Sequence, residues 1–298
     1  MTVQIFDNTT PGVPAYTSAP GSLITLLDYL LVTVLGWTKP FSGTNKAVYK
    51  QPASTNGFYL RVVDTGSTKY SAAVRGFETM TGVDTGAGAF PTVAQYAGDG
   101  PSVWKTEFSS NTLWRFITDG KIFYLGTRDT TYNVYVWWGF GDFQSLITGD
   151  QYNTILIPAV NNSSCWVGHG AATGSNASHN YVARAGSQTG TASLMQKMAG
   201  VEVTGQNKLG FGGIAYPNPV TGGIDLSPVW LTDRATGVIR GVLPGVWNIL
   251  HDTVNGGIMS HGDTFAGAGN LTGRSFMVHL HDDSYHMFAL ETSDTWGV

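Results

Sequence analysis

The stretch from Thr131 to Pro158 constrains this chain most: it reads Thr-Tyr-Asn-Val-Tyr-Val-Trp-Trp-Gly-Phe-Gly-Asp-Phe-Gln-Ser-Leu-Ile-Thr-Gly-Asp-Gln-Tyr-Asn-Thr-Ile-Leu-Ile-Pro. Tyr132 to Trp138 is β-branched and aromatic, a composition that suits a pleated, half-buried strand. Gly139, Gly141 and Asp142 then supply turn chemistry, and Gly149-Asp150 supplies it again. Thr154 to Ile157 is apolar enough for a covered strand, which Pro158 stops. The expected local structure is strand, turn, short strand, turn, strand. Trp137 and Trp138 are adjacent and so point to opposite sides of a strand. If that sheet is covered on one side only, one of the two is exposed or lies in a subunit contact.

The remainder of the chain has little material for helices. The whole chain holds 39 glycines against 4 glutamates in 298 residues, so turn formers abound while helix-forming surface residues are scarce. That points to many short strands. Charged residues make up 12% of the chain, against about 25% in an ordinary soluble domain. A surface so poor in charge suits a protein packed against other subunits, since charges are depleted at interface cores. The 16 Lys and Arg residues are scattered and the net charge is −4, which argues against a nucleic-acid partner. Cys165 is the sole cysteine, so no internal disulfide forms and an oxidising compartment is not indicated. Met1 to Thr10 lacks the basic and apolar regions of a secretory leader. The one long apolar run, Leu23 to Leu35, is interrupted by Thr25, Asp28 and Thr33, and a membrane helix needs about 20 apolar residues. No membrane span is expected.

The expected fold is mainly β, with sandwich- or barrel-like sheets, one N-terminal helix over about 22–35 and few other helices. Residues 1–20 read as a polar arm with a short strand at Val3 to Phe6, either loosely tethered or reaching onto a neighbouring subunit. Residues 21–160 read as a helix plus a β domain, and 161–298 as a Gly-rich β domain, the boundary being set by the polar run after Pro158. In the helix, Ser22 is placed to cap the first turn. Leu23, Leu26, Leu27, Leu30, Leu31 and Val34 recur at helical spacing, and Gly36 sits at the stop position. Gly57 to Val63, Ala72 to Phe77, Trp114 to Ile117 and Lys121 to Gly126 read as strands. Asp119-Gly120 between the last two predicts a type I′ hairpin turn. Beyond the boundary, strands are expected at Tyr181 to Arg184, Val229 to Leu231, Val238 to Val242, Ser275 to Leu280 and Tyr285 to Glu291. Thr191 to Met198 is ambiguous, and Pro244 to Leu250 is compatible with one helical turn. No fixed-period repeat is present.

Three groups of residues invite a chemical reading. Asp142 and Asp150 flank one loop of the aromatic meander, and a glycosidase needs two carboxyls about 5–10 Å apart. Each also follows a glycine, where Asp commonly caps a turn. His279, His281 and His286 lie close to Asp282 and Asp283. His-x-His with a third ligand holds zinc or another divalent ion, whereas the competing readings are a hairpin with polar residues on its wet face and histidines meeting across a symmetric interface. Trp104, Trp114, Trp137, Trp138, Trp166, Trp230, Trp247 and Trp296 make either a sugar-stacking platform or filling for cores and subunit contacts; Trp104, Trp137, Trp138 and Phe143 are the contact candidates. Cys165 has His169 nearby only in sequence and reads as a small core residue. Gly267 to Ser275 resembles a phosphate loop superficially, but its spacing is wrong and a strand follows where a helix is required. No cofactor is expected.

Four segments carry a family resemblance. They are Gly36 to Lys50, with its Gly-Trp-Thr-Lys-Pro-Phe-Ser-Gly-Thr-Asn-Lys-Ala core; Phe140 to Ile157; Leu243 to His251 with the following His261-Gly-Asp-Thr-Phe; and the terminal Leu290-Glu-Thr-Ser-Asp-Thr-Trp296. Through them the chain resembles a group of structural proteins of tailed bacteriophages. The resemblance implies a virion component assembled in the host cytoplasm, homo-oligomeric and in contact with other virion proteins. It carries no catalytic residues. The leading expectation is a tail-associated subunit at the collar, the tube periphery or a fibre attachment point. The others are a capsid cement or decoration protein, a module whose exposed tryptophans bind host-surface glycan, and a glycan depolymerase using Asp142 and Asp150.

Overall fold

A computed structural model describes residues 2–106, 108–129, 134–158, 180–184, 216–232, 239–251, 259–280, 287–293 and 295–296. The fold is mainly β, with antiparallel, sandwich-like sheets. Among the described residues its helical structure is confined to Ser22–Val34 and a 3-10 turn at Gly269–Leu271. No helix among them is long and apolar enough to cross a membrane. Thr191 to Met198, Cys165, Trp166, His169, His281 and His286 lie outside the described residues.

The aromatic meander sits in a central sheet. Its strands run in the order β1 (Gln4–Asp7), β9 (Trp114–Thr118), β10 (Ile122–Asp129), β11 (Val134–Asp142), β13 (Thr154–Ile157) and β14 (Tyr181–Val182). A second sheet contains β2 (Thr38–Gly43), β3 (Lys46–Lys50), β4 (Tyr59–Asp64), β5 (Ala72–Phe77) and β8 (Ser102–Val103), with a small ribbon of β6 (Thr79–Met80) and β7 (Gly86–Ala87) beside it in sequence. The third contains β12 (Gln144–Ser145), β16 (Ile239–Ile249), β19 (Met287–Glu291), β18 (Ser275–Leu280) and β17 (Thr264–Ala266), and β15 (Leu226–Thr232) also pairs with β16.

Alternation along the central strands aims two aromatic sets at two different neighbours. On one face, Phe123 and Phe140 meet Trp37 edge-on at 6.0 and 6.1 Å, Phe140 stacks with Phe90, and Trp138 meets Phe123 at 5.2 Å. This face packs toward the helix and the second sheet. On the opposite face the Tyr124 hydroxyl donates to the Pro244 carbonyl at 2.7 Å, and Tyr135 stacks on His261 at 5.1 Å, toward the third sheet. The central sheet is therefore covered on both sides, and Trp137 and Trp138 are 1% and 0% exposed. The one-sided sheet that would have exposed one of them does not occur.

Gly139 and Gly141 lie inside β11 rather than in a turn. Gly126 pairs with Trp137 across the strands, and Gly139 pairs with Tyr124. A Cβ on Gly126 would sit 2.7 Å from the Trp137 ring, and one on Gly139 would sit 2.5 Å from the Phe123 carbonyl oxygen. Each glycine thus makes room for a ring to lie flat across its neighbour, a packing device in aromatic sheets.

The helix begins at Ser22 as expected, but Ser22 does not cap it. Gly21 occupies the cap at φ 81°, and the Leu23 amide donates to Asp64 Oδ2 at 2.9 Å. The last seven residues, Asp28–Val34, are wound as a π-helix. Leu23, Leu26, Leu27, Leu30 and Leu31 are fully buried, whereas Val34 is only partly so. Gly36 ends the element at φ 71°. Asp28, which interrupts the apolar run, accepts from Tyr49 and Lys39 and so ties the helix to the second sheet. Lys105 and Asp64, both 0% exposed, form an ion pair at 2.5 Å beneath the helix start.

The Asp119-Gly120 hairpin forms between β9 and β10, but not through a type I′ turn. Such a turn needs positive φ at both central residues, and of the two only Gly120 has it, at 87°. The Asp119 carboxylate instead accepts from the Lys121 and Ile122 amides, closing a longer Asx-type loop. Pro244 to Leu250 runs largely as strand within β16, not as a helical turn. The N-terminal residues are laid along their own chain: β1 pairs with β9, Tyr16 is fully buried, and its amide donates to Asn111. Pairing also crosses position 160, through β13 with β14 and β12 with β16. One continuous apolar cluster runs from Leu23 in the helix through Trp138 to Leu290 in β19.

Candidate functional site

Asp142 and Asp150 line the same cleft, a cavity of about 760 Å3 between the β3–β4 loop, the β9–β10 turn, the β11–β13 connection and the C-terminal Trp296. Asp142 ends β11, next to Gly141, whose φ of 147° is one that L side chains rarely adopt. Its Oδ1 accepts from Gln51 Nε2 at 3.0 Å and Thr154 Oγ1 at 2.6 Å, and its Oδ2 accepts from the Asn56 amide at 2.8 Å. The residue is 7% exposed. Burial raises its pKa, and the hydrogen bonds from Thr154, Asn56 and Gln51 only partly offset that.

Asp150 is shaped in the opposite direction. Burial alone would raise it, but Arg240, the Tyr152 amide and Ser145 together hold it below the usual carboxylate range. Arg240 Nε and Nη2 reach its two oxygens at 2.9 and 3.0 Å, a bidentate pair. The same guanidinium donates to the Ala183 and Tyr152 carbonyls at 2.8 Å each.

Two carboxyls with oppositely displaced pKa values are the pattern of an acid–base couple. Here, however, every carboxyl oxygen already accepts at least one hydrogen bond from the chain itself. Asp142 joins the β3–β4 loop to β11 and β13, and Asp150 joins the β11–β13 connection to β16. Both act as structural ties at the cleft wall, and the turn-building reading of Asp150 holds: its Oδ1 accepts from the Tyr152 amide just after Gly149 at φ 78°.

No protein-family model matches this chain, and no curated protein matches it in sequence.

The remaining expected site residues are placed as follows. Trp104 and Phe143 are each 2% exposed, so with Trp137 and Trp138 all four contact candidates lie inside the chain. The reason for Trp137 and Trp138 is double coverage of the sheet; Trp104, just after β8, meets Tyr70 edge-on at 5.2 Å, and Phe143 fits against Gly241, where a Cβ would sit 2.6 Å from its ring. Of the tryptophans grouped as a platform, Trp230 and Trp296 keep partial exposure among the described residues. His279 is 2% exposed, stacked on Phe288 at 4.4 Å and edge-on to His261 at 4.7 Å, so it does not lie on a wet face. Its expected partners His281 and His286 are outside the described residues, among which no group of three potential metal ligands occurs. The strand after Gly267 to Arg274 is confirmed as β18, contrary to the helix a phosphate loop requires.

The Asp142 ties have a measurable consequence. Asp142→Ala removes the acceptor of three donors, of which Gln51 Nε2 keeps only its 3.3 Å bond to the Lys121 carbonyl, and is expected to cost about 2–3 kcal/mol. Asp142→Asn should be nearly neutral, because its amide can donate to Thr154 Oγ1 or to Gln51 Oε1, a buried acceptor that forms no hydrogen bond. The raised pKa means that the folded chain holds this proton more tightly than the unfolded chain. Asp142 therefore adds stability as pH falls from its folded pKa toward the ordinary carboxylate range. Urea titrations at stepped pH should show that gain in the parent and lose it in Asp142→Asn.

Proposed function

We propose that this chain is a structural subunit of a tailed-phage particle, tail-associated, working through contacts with copies of itself and other virion proteins. The observation that supports it most directly is a braced apolar loop. Leu146 and Ile147 are 55% and 44% exposed side by side at the tip of the β12 turn. The turn beneath them is held rigid: the Leu146 amide donates to the Arg240 carbonyl at 2.9 Å, the Ile147 amide to Ser145 Oγ, and Ser145 Oγ to Asp150 Oδ2. The bond from Leu146 to Arg240 pins the loop to β16, and the Asp150–Arg240 pair anchors its far end. A rigid loop that holds two aliphatic side chains in water loses little conformational freedom on docking. The low charge of the whole chain and the sequence resemblance support the same reading.

Leu146→Ser with Ile147→Ser should leave the stability within about 0.5 kcal/mol of the parent, as surface changes do. The same double variant should be incorporated poorly into particles when it complements a strain lacking the protein. Normal incorporation would remove the loop from the contact. Position is read by labelling intact particles with an antibody to this chain: signal on the icosahedral shell alone would replace the tail location with capsid decoration.

A further inference from the structure

We propose that the cleft beside Trp296 is a binding site for a neutral saccharide. The inference does not depend on the subunit assignment, although Ile147 of the docking loop also lines this cleft.

Its walls carry side-chain amides: Gln144 and Gln151 line it beside Asn56 and Asn153, whose amides already bond each other, Thr154 Oγ1 and the Phe143 carbonyl. Amides offer paired donors and acceptors, which match the alternating donors and acceptors of neighbouring sugar hydroxyls. Gln144 and Gln151 are exposed, so they are reachable from solvent.

The cleft presents no positive field, since three aspartates line it against Lys121. Lys121 and Asp119 line the same end with opposite signs. Asp150 is paired with Arg240, and both oxygens of Asp142 accept hydrogen bonds within the wall. A phosphate or a nucleic acid needs a positive field, and a divalent cation needs a set of unengaged oxygens. The cleft offers neither, whereas a neutral polyol needs neither.

Trp296 supplies the apolar component. Its Nε1 donates to the Glu291 carbonyl at 2.9 Å, so the polar edge of the indole is already used. Its ring lies on Tyr124 at 5.5 Å and over Gly245, where a Cβ would approach to 2.3 Å. Gly245 has a φ of 70° and leaves the space that this ring occupies. The indole is thus held in place, is partly exposed and lines the cleft, as a surface for the C–H face of a sugar ring. At about 760 Å3, the cleft falls within the roughly 300–1,000 Å3 usual for small-molecule sites.

The test is isothermal titration of the full chain with neutral hexasaccharides built from glucose, mannose, galactose or N-acetylglucosamine. At least one is expected to bind with Kd of about 1 mM or tighter, roughly −4 kcal/mol. Trp296→Ala should weaken that binding at least tenfold, and Trp296→Phe should retain most of it. Because Trp296 also packs on Tyr124, the exposed Gln144→Ala and Gln151→Ala variants serve as a second measure. Each should weaken binding severalfold with an unchanged melting curve. Absence of binding by all four sugars, or binding unaffected by the Trp296 and glutamine variants alike, would overturn the proposal. Particle incorporation of the glutamine variants should remain normal, which separates this site from the Leu146–Ile147 contact.

Discussion

Lys105→Met is expected to lower the stability of the folded chain by about 3–5 kcal/mol, the cost of breaking a fully buried ion pair. Lys105 Nζ donates to Asp64 at 2.5 Å, to the Ala19 carbonyl at 2.7 Å and to the Gly66 carbonyl at 3.1 Å, and both side chains are 0% exposed. An ammonium carries three protons, so its donors are fully matched. Methionine fills similar space but leaves the carboxylate without its counter-ion and two carbonyls without a donor. The second oxygen of Asp64 accepts from the Leu23 amide, so the loss should also loosen the start of the helix. Adding Asp64→Asn to Lys105→Met removes the stranded charge while keeping an acceptor for Leu23. The double variant should therefore be more stable than Lys105→Met alone. Urea unfolding of the parent, both single variants and the double variant completes the cycle. Strictly additive losses would mean that the two side chains are not coupled.

Trp138→Ala is expected to cost about 3–5 kcal/mol, the range for emptying a buried aromatic site. Trp138 is 0% exposed and packs edge-on against Phe123 in the face that meets the helix and the second sheet. The measurement is the denaturant midpoint at constant pH. A parent-like midpoint would return Trp138 to the surface and restore it as a contact residue. By contrast, the partly exposed Trp296 should be the tryptophan whose loss affects ligand binding more than folding. Loss of saccharide binding in Trp138→Ala would accordingly report unfolding unless its midpoint is unchanged.

Much of the strand pattern was legible because it is local. Ser275 to Leu280 and Ala72 to Phe77 alternate within a few residues, and the observed strands coincide with them. Gly36 as a helix stop and Asp119-Gly120 as a hairpin loop were also legible, since each depends on backbone freedom at one or two positions. Gly139 and Gly141 were harder to read. A glycine in an aromatic run signals either a turn or a ring laid across a neighbouring strand, and only the pairing of Gly139 with Tyr124 distinguishes them.

The cleft was only half legible. Its two aspartates stood out because each follows a glycine, but Arg240 lies 90 residues from Asp150 and Gln51 lies 91 from Asp142. Only the bonds from the Tyr152 amide and Ser145 to Asp150 are local; the other partners that engage the two carboxyls are distant in sequence. Trp296 belonged to a group of eight candidate tryptophans, and its distinction from Trp137 and Trp138 is one of exposure alone. The Lys105–Asp64 pair was not legible, since its two members lie 41 residues apart and meet only where the helix start closes over them.

By itself, the sequence determined that the chain would be built of strands. Alternation, β-branching and glycine placement act over distances of a few residues, and the backbone answers to them directly. It also determined which side chains share a face. Only the tertiary structure decided what covers each face, because coverage depends on segments far away in the chain: Trp37 closes over Phe123 and Phe140, and Pro244 over Tyr124. That decision placed Trp137 and Trp138 in the interior, turned Asp142 and Asp150 into ties between strands, and left Leu146, Ile147 and Trp296 facing outward at the cleft and its rim.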